Sequence, residues 1–423
     1  MQRILILGAG FAGLWSAIGA ARALDRRGIG QDRVEITVVN ATPWHSIRVR
    51  NYEADLSDTC VPLADILDPI GVRWMVAEVV DLSVTDQTVT CIANGSRSRL
   101  AYDRLVFCLG SRLLRPLIPG LREHAYDIDT YEAAMRLGAH LAALPRKPRS
   151  ATRDTVLVIG AGLTGIEVAA EMPSRLSAIL IGDPSAQPRV ILADRSGSIG
   201  SNMGESARSV IADALAALHV DTRPGISVAA IDASGVTLST DETIEAATVI
   251  WCAGMEASPL TARFPVPHDR FGRLEVDASL RVIGLNAVFA AGDVARFAID
   301  GTHPSVMSCQ HGRPMGRFAG HNVVCDLLGE PMLPLAIDWY TTIVDLSSWG
   351  AVYTEGWDQR VVAQRSVAKH TKETINRRRI YPPRSRNRQE ILAAAAPIVQ
   401  TPPAYRRGVS ATEHHPGPLF RPL

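Results

Sequence analysis

Two copies of the glycine motif GxGxxG constrain this chain more than any other feature of its sequence. Each copy follows a short apolar, strand-like run and precedes an apolar, helix-like stretch. In such a motif the glycines allow a tight turn, a close approach of backbone to pyrophosphate, and close packing of helix on strand. The helix N-terminus then offers free N–H groups to the phosphates. We therefore predict two dinucleotide sites, formed by Gly8, Gly10, Phe11, Ala12 and Gly13 and by Gly160, Gly162, Thr164 and Gly165.

The second strand of each unit ends in a residue that we expect to contact the nucleotide ribose. Asn40 ends this strand in the first unit and can hydrogen-bond a hydroxyl without a negative charge. Asp194 ends it in the second unit, and its carboxylate would repel a 2′-phosphate. The neighbouring Arg195 softens that repulsion. We predict NADH for the second unit, with NADPH as the alternative, and electron transfer between the two bound nucleotides.

Composition sets the broad class. The 423 residues are 47% apolar and 21% charged, which suffices for two large domains with ordinary cores. The net charge of +1 provides no general attraction to nucleic acid. No apolar run is long enough to predict a transmembrane helix, and no signal peptide is evident. We expect a cytoplasmic protein.

The cysteines exclude one kind of redox chemistry. All six are scattered along the chain without a CxxC or CxxxxC pair. This spacing argues against a redox-active disulfide and against a metal site. We interpret most of them as small core residues in a reducing compartment.

Three stretches together carry a resemblance to a known family. They are the two glycine motifs, residues 162–171 (GLTGIEVAAE), and residues 291–294 (AGDV) followed by residues 308–316 (SCQHGRPMG). Over roughly residues 1 to 330 the chain resembles the type II NADH dehydrogenase (NADH:quinone oxidoreductase) branch of the two-dinucleotide-binding flavoproteins. The resemblance implies an α/β fold with two Rossmann-like domains, FAD in the first and NADH in the second.

The same resemblance implies a discontinuous FAD domain into which the NADH domain is inserted. We predict FAD-domain segments at residues 1–150 and 266–335, the NADH domain at residues 151–265, and a C-terminal segment at residues 336–423. A linker rich in proline and basic residues, at residues 144–149, precedes the NADH domain.

Four further cofactor-binding residues follow from the resemblance. Gly292 and Asp293 end an apolar strand, and in the family this Asp reaches the ribityl-phosphate region of FAD. Gly110 resembles the end of the strand that closes the first FAD segment, and Gly254 its counterpart in the NADH domain.

The resemblance also suggests catalytic residues. Glu167 matches an acid that lies near nicotinamide and flavin in the family, whereas the alternative is an acid that only stabilises a helix N-terminus. Gln310 matches the first glutamine of an AQxxxQ pattern that faces flavin and quinone. Pro314 stands at the second glutamine position and lacks an N–H group, so the quinone side departs from the family pattern.

Three other side chains, His311, Cys309 and His45, are candidates for a role near the flavin. His311 is a candidate acid or base, and Gln310 also counts as a flavin contact. Cys309 could act as a nucleophile or relay, although packing is the simpler interpretation. His45 follows the ribose strand, and we expect an exposed loop histidine there.

The C-terminal segment contains a strongly basic stretch at residues 360–388, with Glu373 as its one acid. One interpretation is a solvated, partly disordered surface segment. The other is contact with an anionic surface such as membrane headgroups, a partner or a substrate.

These features predict an FAD-dependent NAD(P)H oxidoreductase. A hydride passes from NADH to FAD, and the electrons then pass to a quinone-like acceptor. The alternatives are a reductase of a small electron-transfer protein, a tailoring flavoenzyme, and a non-catalytic redox-sensing flavoprotein. Peripheral membrane contact and oligomerisation stay open.

Overall fold

The computed structural model describes residues 1–405 of the chain. The apolar runs before the two glycine motifs form buried strands, as their composition predicts. The strands are β1 (Gln2–Leu7), β2 (Val34–Asn40), β3 (Trp44–Ser46), β4 (Cys60–Pro62), β5 (Arg73–Val76), β6 (Glu78–Ser83), β7 (Thr88–Ala93), β8 (Ser96–Ala101), β9 (Arg104–Phe107), β10 (Ser111–Leu113), β11 (Ala125–Tyr126), β12 (Thr155–Ile159), β13 (Arg189–Asp194), β14 (Val220–Pro224), β15 (Val228–Asp232), β16 (Gly235–Leu238), β17 (Thr243–Glu245), β18 (Thr248–Trp251), β19 (Met255–Ala257), β20 (Leu274–Glu275), β21 (Val288–Ala290), β22 (Ala295–Arg296), β23 (Thr341–Asp345), β24 (Ala351–Glu355) and β25 (Arg360–Gln364).

A helix begins within each glycine motif, at Phe11 and at Leu163, and a third long helix begins at Cys309. The helices are α1 (Phe11–Asp25), α2 (Leu63–Leu67), α3 (Leu121–His124), α4 (Tyr131–Ala143), α5 (Ala151–Asp154), α6 (Leu163–Ile179), α7 (Glu205–Ala217), α8 (Cys309–Leu328), α9 (Arg365–Thr374) and α10 (Arg388–Ala394). A π-helical turn at Ile375–Arg379 extends α9.

The first sheet is parallel, with the strand order β21-β9-β1-β2-β5. Strand β21 pairs with β9, so residues late in the chain complete a sheet that begins at the N-terminus. Helix α8 packs along α1 through a stripe of glycines. A Cβ atom at Gly316 would collide with the Ala12 carbonyl, and one at Gly320 with the Ser16 carbonyl. The close contact between these helices therefore requires glycine.

The second sheet repeats this arrangement in the order β11-β18-β12-β13-β14, again with parallel neighbours. Together the two sheets give the predicted α/β fold with two Rossmann-like units. Strand β11 belongs to the second sheet although it precedes the predicted boundary at residue 150. The sheets therefore divide the chain earlier than the basic linker suggested, and the boundaries at 265 and 335 stay predictions.

The C-terminal segment forms the antiparallel sheet β23-β24-β25, with α9 packed against it. Beyond α9, the chain returns to the first sheet, where Tyr381, Ile391 and Leu392 join its hydrophobic core. The partial disorder predicted for the basic stretch is not seen, because residues 360–379 form β25, α9 and the π-helical turn. Most of its basic side chains are nevertheless exposed, as a solvated surface segment predicts. Three of its arginines form ion pairs with acids of the first unit, namely Arg384–Asp58, Arg386–Asp65 and Arg388–Asp25. Residues 406–423 of the predicted segment lie outside the described residues.

Among residues 1–405, no helix combines the length and apolar character needed to cross a membrane.

Candidate nucleotide and electron-transfer site

The first glycine motif forms a tight turn between β1 and α1. Gly8 has a φ of +90°, a value that L side chains rarely adopt. A Cβ at Gly13 would collide with the carbonyl of Gly8, whereas one at Gly10 would meet no atom within 4 Å. Gly10 also begins α1 without a side-chain cap, and no acid lies in the first helical turn. The helix N-terminus thus faces open space with uncapped N–H groups, which suits a pyrophosphate.

The second motif repeats this geometry between β12 and α6. Gly160 has a φ of +103°, and Gly165 lies against the carbonyl of Gly160. Gly162 faces open space and begins α6 without a side-chain cap or an acid in the first turn. Both motifs therefore fit a dinucleotide by the same structural test.

The two predicted ribose contacts occupy equivalent positions. The Asn40 side-chain oxygen accepts a hydrogen bond from the Ala9 N–H at 2.8 Å. The Asp194 carboxylate accepts one from the Ala161 N–H at 2.6 Å. Each side chain therefore fixes its glycine loop from the end of the second strand. Their contact with ribose stays a prediction.

Asp293 lies at the end of the first sheet beside two residues that the sequence did not indicate. Ser111 donates its hydroxyl proton to the Asp293 carboxylate at 2.5 Å. The Arg48 guanidinium bonds the same hydroxyl at 3.1 Å and pairs with Asp129. The predicted residue Gly110 immediately precedes Ser111, and Gly254 lies just before β19, which pairs with β10. The topology thus brings the ends of both sheets together at this point.

Gln310 and His311 lie in the first turn of α8. The Gln310 side-chain oxygen accepts hydrogen bonds from the N–H and hydroxyl groups of Thr341, which ties α8 to β23. His311 is fully buried, and its Nδ1 accepts a hydrogen bond from the Val306 N–H at 2.9 Å. Burial lowers the His311 pKa to about 4, so the ring is neutral at pH 7.

Helix α8 continues through Pro314. Because proline has no N–H, the Gln310 carbonyl lacks its usual helical donor. Pro314 therefore replaces the second glutamine side chain of the family pattern, and it also leaves the Gln310 backbone carbonyl, one turn earlier, without its helical donor.

Glu167 lies in a buried polar network between the second sheet and the C-terminal segment. Its carboxylate contacts the Lys372 ammonium group at 2.6 Å and accepts the Asp345 N–H at 3.0 Å. Both Glu167 and Lys372 are more than 90% buried. Burial raises the Glu167 pKa, although Lys372 and the Asp345 N–H favour the ionised form. Nothing local in the sequence indicated Lys372, which lies in the stretch that looked like a basic surface.

The network extends beyond this pair. The Lys369 ammonium group contacts both oxygens of the Asp345 carboxylate, at 2.6 and 2.8 Å. The Tyr52 hydroxyl donates to Asp345 at 3.0 Å, which connects the first unit to the same network. Three parts of the chain therefore meet around two acids and two lysines.

His45 is a correction to the sequence prediction. It is fully buried in β3 rather than exposed in a loop, and its Nδ1 lies 2.8 Å from the carbonyl oxygen of Ala9. Its ring makes an edge contact with Phe11, whose position predicted a cofactor contact. Burial lowers the His45 pKa to about 4. The histidine supports the first glycine loop from behind.

Cys309 shows no partner for thiol exchange, since all six cysteines are free. Burial raises its pKa, which opposes a reactive thiolate, although Arg313 and Lys372 act in the other direction. The packing interpretation accounts for this geometry.

Two dinucleotide loops on two parallel sheets, closed by a C-terminal segment, define a two-domain flavoprotein oxidoreductase. The family model of pyridine nucleotide-disulphide oxidoreductases matches residues 2–316, and the chain belongs to that family.

Named relatives narrow the class further. The chain is 53% identical to an NADH dehydrogenase-like protein of Mycobacterium tuberculosis, over 95% of this chain and 100% of the relative. It is 28% identical to the demethylphylloquinone reductase of a Synechocystis species, over 83% of this chain and 86% of the relative. The solved structure of NDH2 from Plasmodium falciparum in complex with NADH has the same fold, with a TM-score of 0.76 at 13% identity over 93% of this chain and 97% of that one. This chain is an FAD-dependent NADH oxidoreductase, with FAD and NADH as its cofactors.

Proposed function

We propose that this enzyme transfers electrons from NADH to a quinone. The observation that carries the proposal is the buried Glu167–Lys372 pair, which lies between the NADH unit and the segment bound to Gln310. Reduction of a quinone to a hydroquinone takes two electrons and two protons. The hydride from NADH carries both electrons but only one proton. The second proton must come through the protein. The name of the Synechocystis relative supports the acceptor class.

The first unit would hold FAD and the second NADH. Residues 8–13 would bind the FAD pyrophosphate at the start of α1, with Asn40 near the ribose and Asp293 near the ribityl chain. Residues 160–165 and Asp194 would do the same for NADH. Bound FAD supplies the electron-accepting chemistry, while the chain orients the two nucleotides and excludes water.

Glu167 is the proton-handling group in this proposal. Because burial raises its pKa, its protonated form is accessible closer to neutral pH than for an ordinary carboxyl group. Lys372 stabilises the ionised form after the proton leaves. Gln310 and His311 would line the acceptor side, where the neutral His311 ring offers a hydrogen bond rather than a proton.

Two exposed arginines bear on membrane contact. Arg384, Arg386 and Arg388 are paired with acids of the first unit. Arg377 and Arg378 point outward from the π-helical turn and are exposed. A peripheral contact with anionic headgroups, if the enzyme makes one, would fall on these two residues.

Rapid mixing separates the two halves of the reaction. The holoenzyme is reduced anaerobically with NADH, and the reduced enzyme is then mixed with a water-soluble quinone, a ferredoxin-like protein or buffer. We expect fast reduction by NADH and fast reoxidation by the quinone. If only the ferredoxin-like protein reoxidises the enzyme, the acceptor is a small electron-transfer protein and not a quinone. Slow reoxidation by every acceptor would favour a sensor or a tailoring enzyme.

The variant Glu167→Gln tests the proton step within the same experiment. We expect flavin reduction at nearly the wild-type rate and reoxidation by quinone slowed by roughly 100-fold, the usual scale of a lost proton donor. Equal rates of reoxidation in variant and wild type would remove Glu167 from the mechanism.

A further inference from the structure

Helix α8 carries two arginines, one turn apart, that face the ring of Trp15. The guanidinium carbons of Arg313 and Arg317 lie 5.2 and 4.4 Å from the Trp15 ring centroid. Arg313 is 6% exposed and Arg317 is 2% exposed. Two positive charges thus lie close to one aromatic ring inside the protein.

Within residues 1–405 neither guanidinium has a carboxylate or hydrogen-bond partner, and the Nε atoms of both are buried without an acceptor. A third arginine, Arg379, faces the pair from the π-helical turn and adds to the positive charge there. Burial, and then repulsion by Arg313 and Arg379, lowers the Arg317 pKa to about 9. Burial lowers the Arg313 pKa to about 10. Both groups are still charged at pH 7.

Other buried arginines in this protein do not share this situation. Arg50 pairs with Glu53, Arg153 with Asp154, and Arg273 with Asp269. The second unit provides the sharpest contrast. Trp15 lies two residues after the third glycine of its motif, and at that position α6 carries Glu167, which balances Lys372. The first unit holds buried cations without the matching acid.

We propose that Arg313 and Arg317, over the face of Trp15, bind an oxyanion such as a phosphate or a carboxylate group. A buried charge without a counter-charge is strongly unfavourable, and a bound anion relieves it. The planar guanidinium fork matches the geometry of phosphate and carboxylate oxygens. The ion can be a free anion or an anionic group of a larger ligand, because Arg313 lies only one turn from Gln310.

Binding of inorganic phosphate to the FAD-loaded enzyme tests the site directly. We expect saturable binding by titration calorimetry in a buffer free of other oxyanions. The variant Arg317→Gln should lose roughly 10- to 100-fold in affinity, the scale of one charge-assisted hydrogen bond. The exposed Arg97 provides the matched control, and Arg97→Gln should bind phosphate as the wild type does. Absence of saturable binding, or equal binding by all three proteins, overturns the proposal.

Thermal unfolding distinguishes a binding role from a packing role. Arg317→Met keeps the bulk of the side chain and removes the unpaired charge, so without phosphate it should melt at or above the wild-type temperature. Phosphate should raise the melting temperature of the wild type only. A variant that melts several degrees lower without phosphate, and gains as much from phosphate as the wild type, would contradict the site.

Two acceptors distinguish the sources of the anion. With a sulfonated naphthoquinone and an uncharged one, an Arg317→Gln effect on the KM of the sulfonated compound alone places the oxyanion on the acceptor. Unchanged KM values for both, together with the loss of phosphate binding, place a free anion in the site. Each result supports the site, and each is independent of whether quinones are the natural acceptors.

Discussion

The two nucleotide units have nearly the same backbone and different surroundings. In each, the N–H of the residue between the first two glycines is bonded by the side chain that ends the second strand. The carbonyl of that residue is held differently, by the His45 ring in the first unit and by the Gly200 N–H in the second. The first loop is thus supported by a neutral amide and a titratable ring, the second by a carboxylate and backbone. Glycine positions specify the loop, and the supporting groups give each unit its own response to charge and pH.

Substitution of the third glycine in each motif tests whether the two loops bind their nucleotides independently. A Cβ at Gly13 or Gly165 would collide with a backbone carbonyl of its own loop, which cannot move away without breaking the turn. We expect Gly165→Ala to retain FAD and to lose reduction by NADH almost completely. Gly13→Ala should lose FAD. The FAD absorbance of the purified proteins and anaerobic reduction by NADH provide the measurements.

The control is Gly182→Ala, where an added Cβ meets no atom within 4 Å. It should keep both properties. Loss of FAD from the Gly165→Ala protein, with its fold intact by circular dichroism, would show that the two loops do not act separately.

The Lys372–Glu167 ion pair joins the second unit to the C-terminal segment, and its contribution to stability can be measured. Lys372→Met leaves a buried carboxylate without its cation, and we expect a loss of about 3–5 kcal/mol in the free energy of unfolding near pH 7.5. A carboxyl group with a raised pKa destabilises the fold fully above that pKa, and the penalty is relieved as the pH falls through it. The deficit measured by urea unfolding should therefore shrink at acidic pH.

The double variant Lys372→Met/Glu167→Gln removes both charges and should recover most of the lost stability. If the deficit of Lys372→Met is the same at every pH, or if the double variant is no better than the single one, the pair is not the ion pair that the geometry indicates.

Sequence indicates the loops well and their surroundings poorly. The loops at Gly8 and Gly160 can be predicted because the turn, the strand before it and the helix after it are formed by consecutive residues. The sequence does not reveal the role of Lys372, because its partner Glu167 lies in the distant helix α6 and because most of the arginines around the lysine face solvent. The prediction of an exposed His45 is wrong for a related reason, because nothing in the neighbouring residues indicates that β3 packs behind the Ala9 carbonyl. Charge density along a chain does not indicate which charges a fold will bury.

The support behind the first loop can be titrated. The His45 pKa is lowered from 6.5 to about 4, so the unfolded chain takes up a proton between these values while the folded protein does not. Stability should therefore fall as the pH drops from 6.5 towards 4, with His45 contributing about 1.4 kcal/mol per pH unit. His45→Gln should flatten that slope by this amount in urea unfolding. If stability depends on pH in the His45 variant as it does in the wild type, the His45 ring does not cause the loss of stability at acidic pH.

The finest test makes the second unit resemble the first. Asp194→Asn removes the charge that would repel a 2′-phosphate and keeps an oxygen that can accept the Ala161 N–H, as Asn40 accepts that of Ala9. The loop should therefore stay folded while NADPH is no longer repelled, and we expect the ratio of kcat/KM for NADH over NADPH to fall by about tenfold. Because the backbone support is retained, kcat/KM for NADH should change little. A large loss with NADH and an unchanged ratio would mean that Asp194 acts only as a support for the loop, and that selectivity between the two nucleotides is set elsewhere in the second unit.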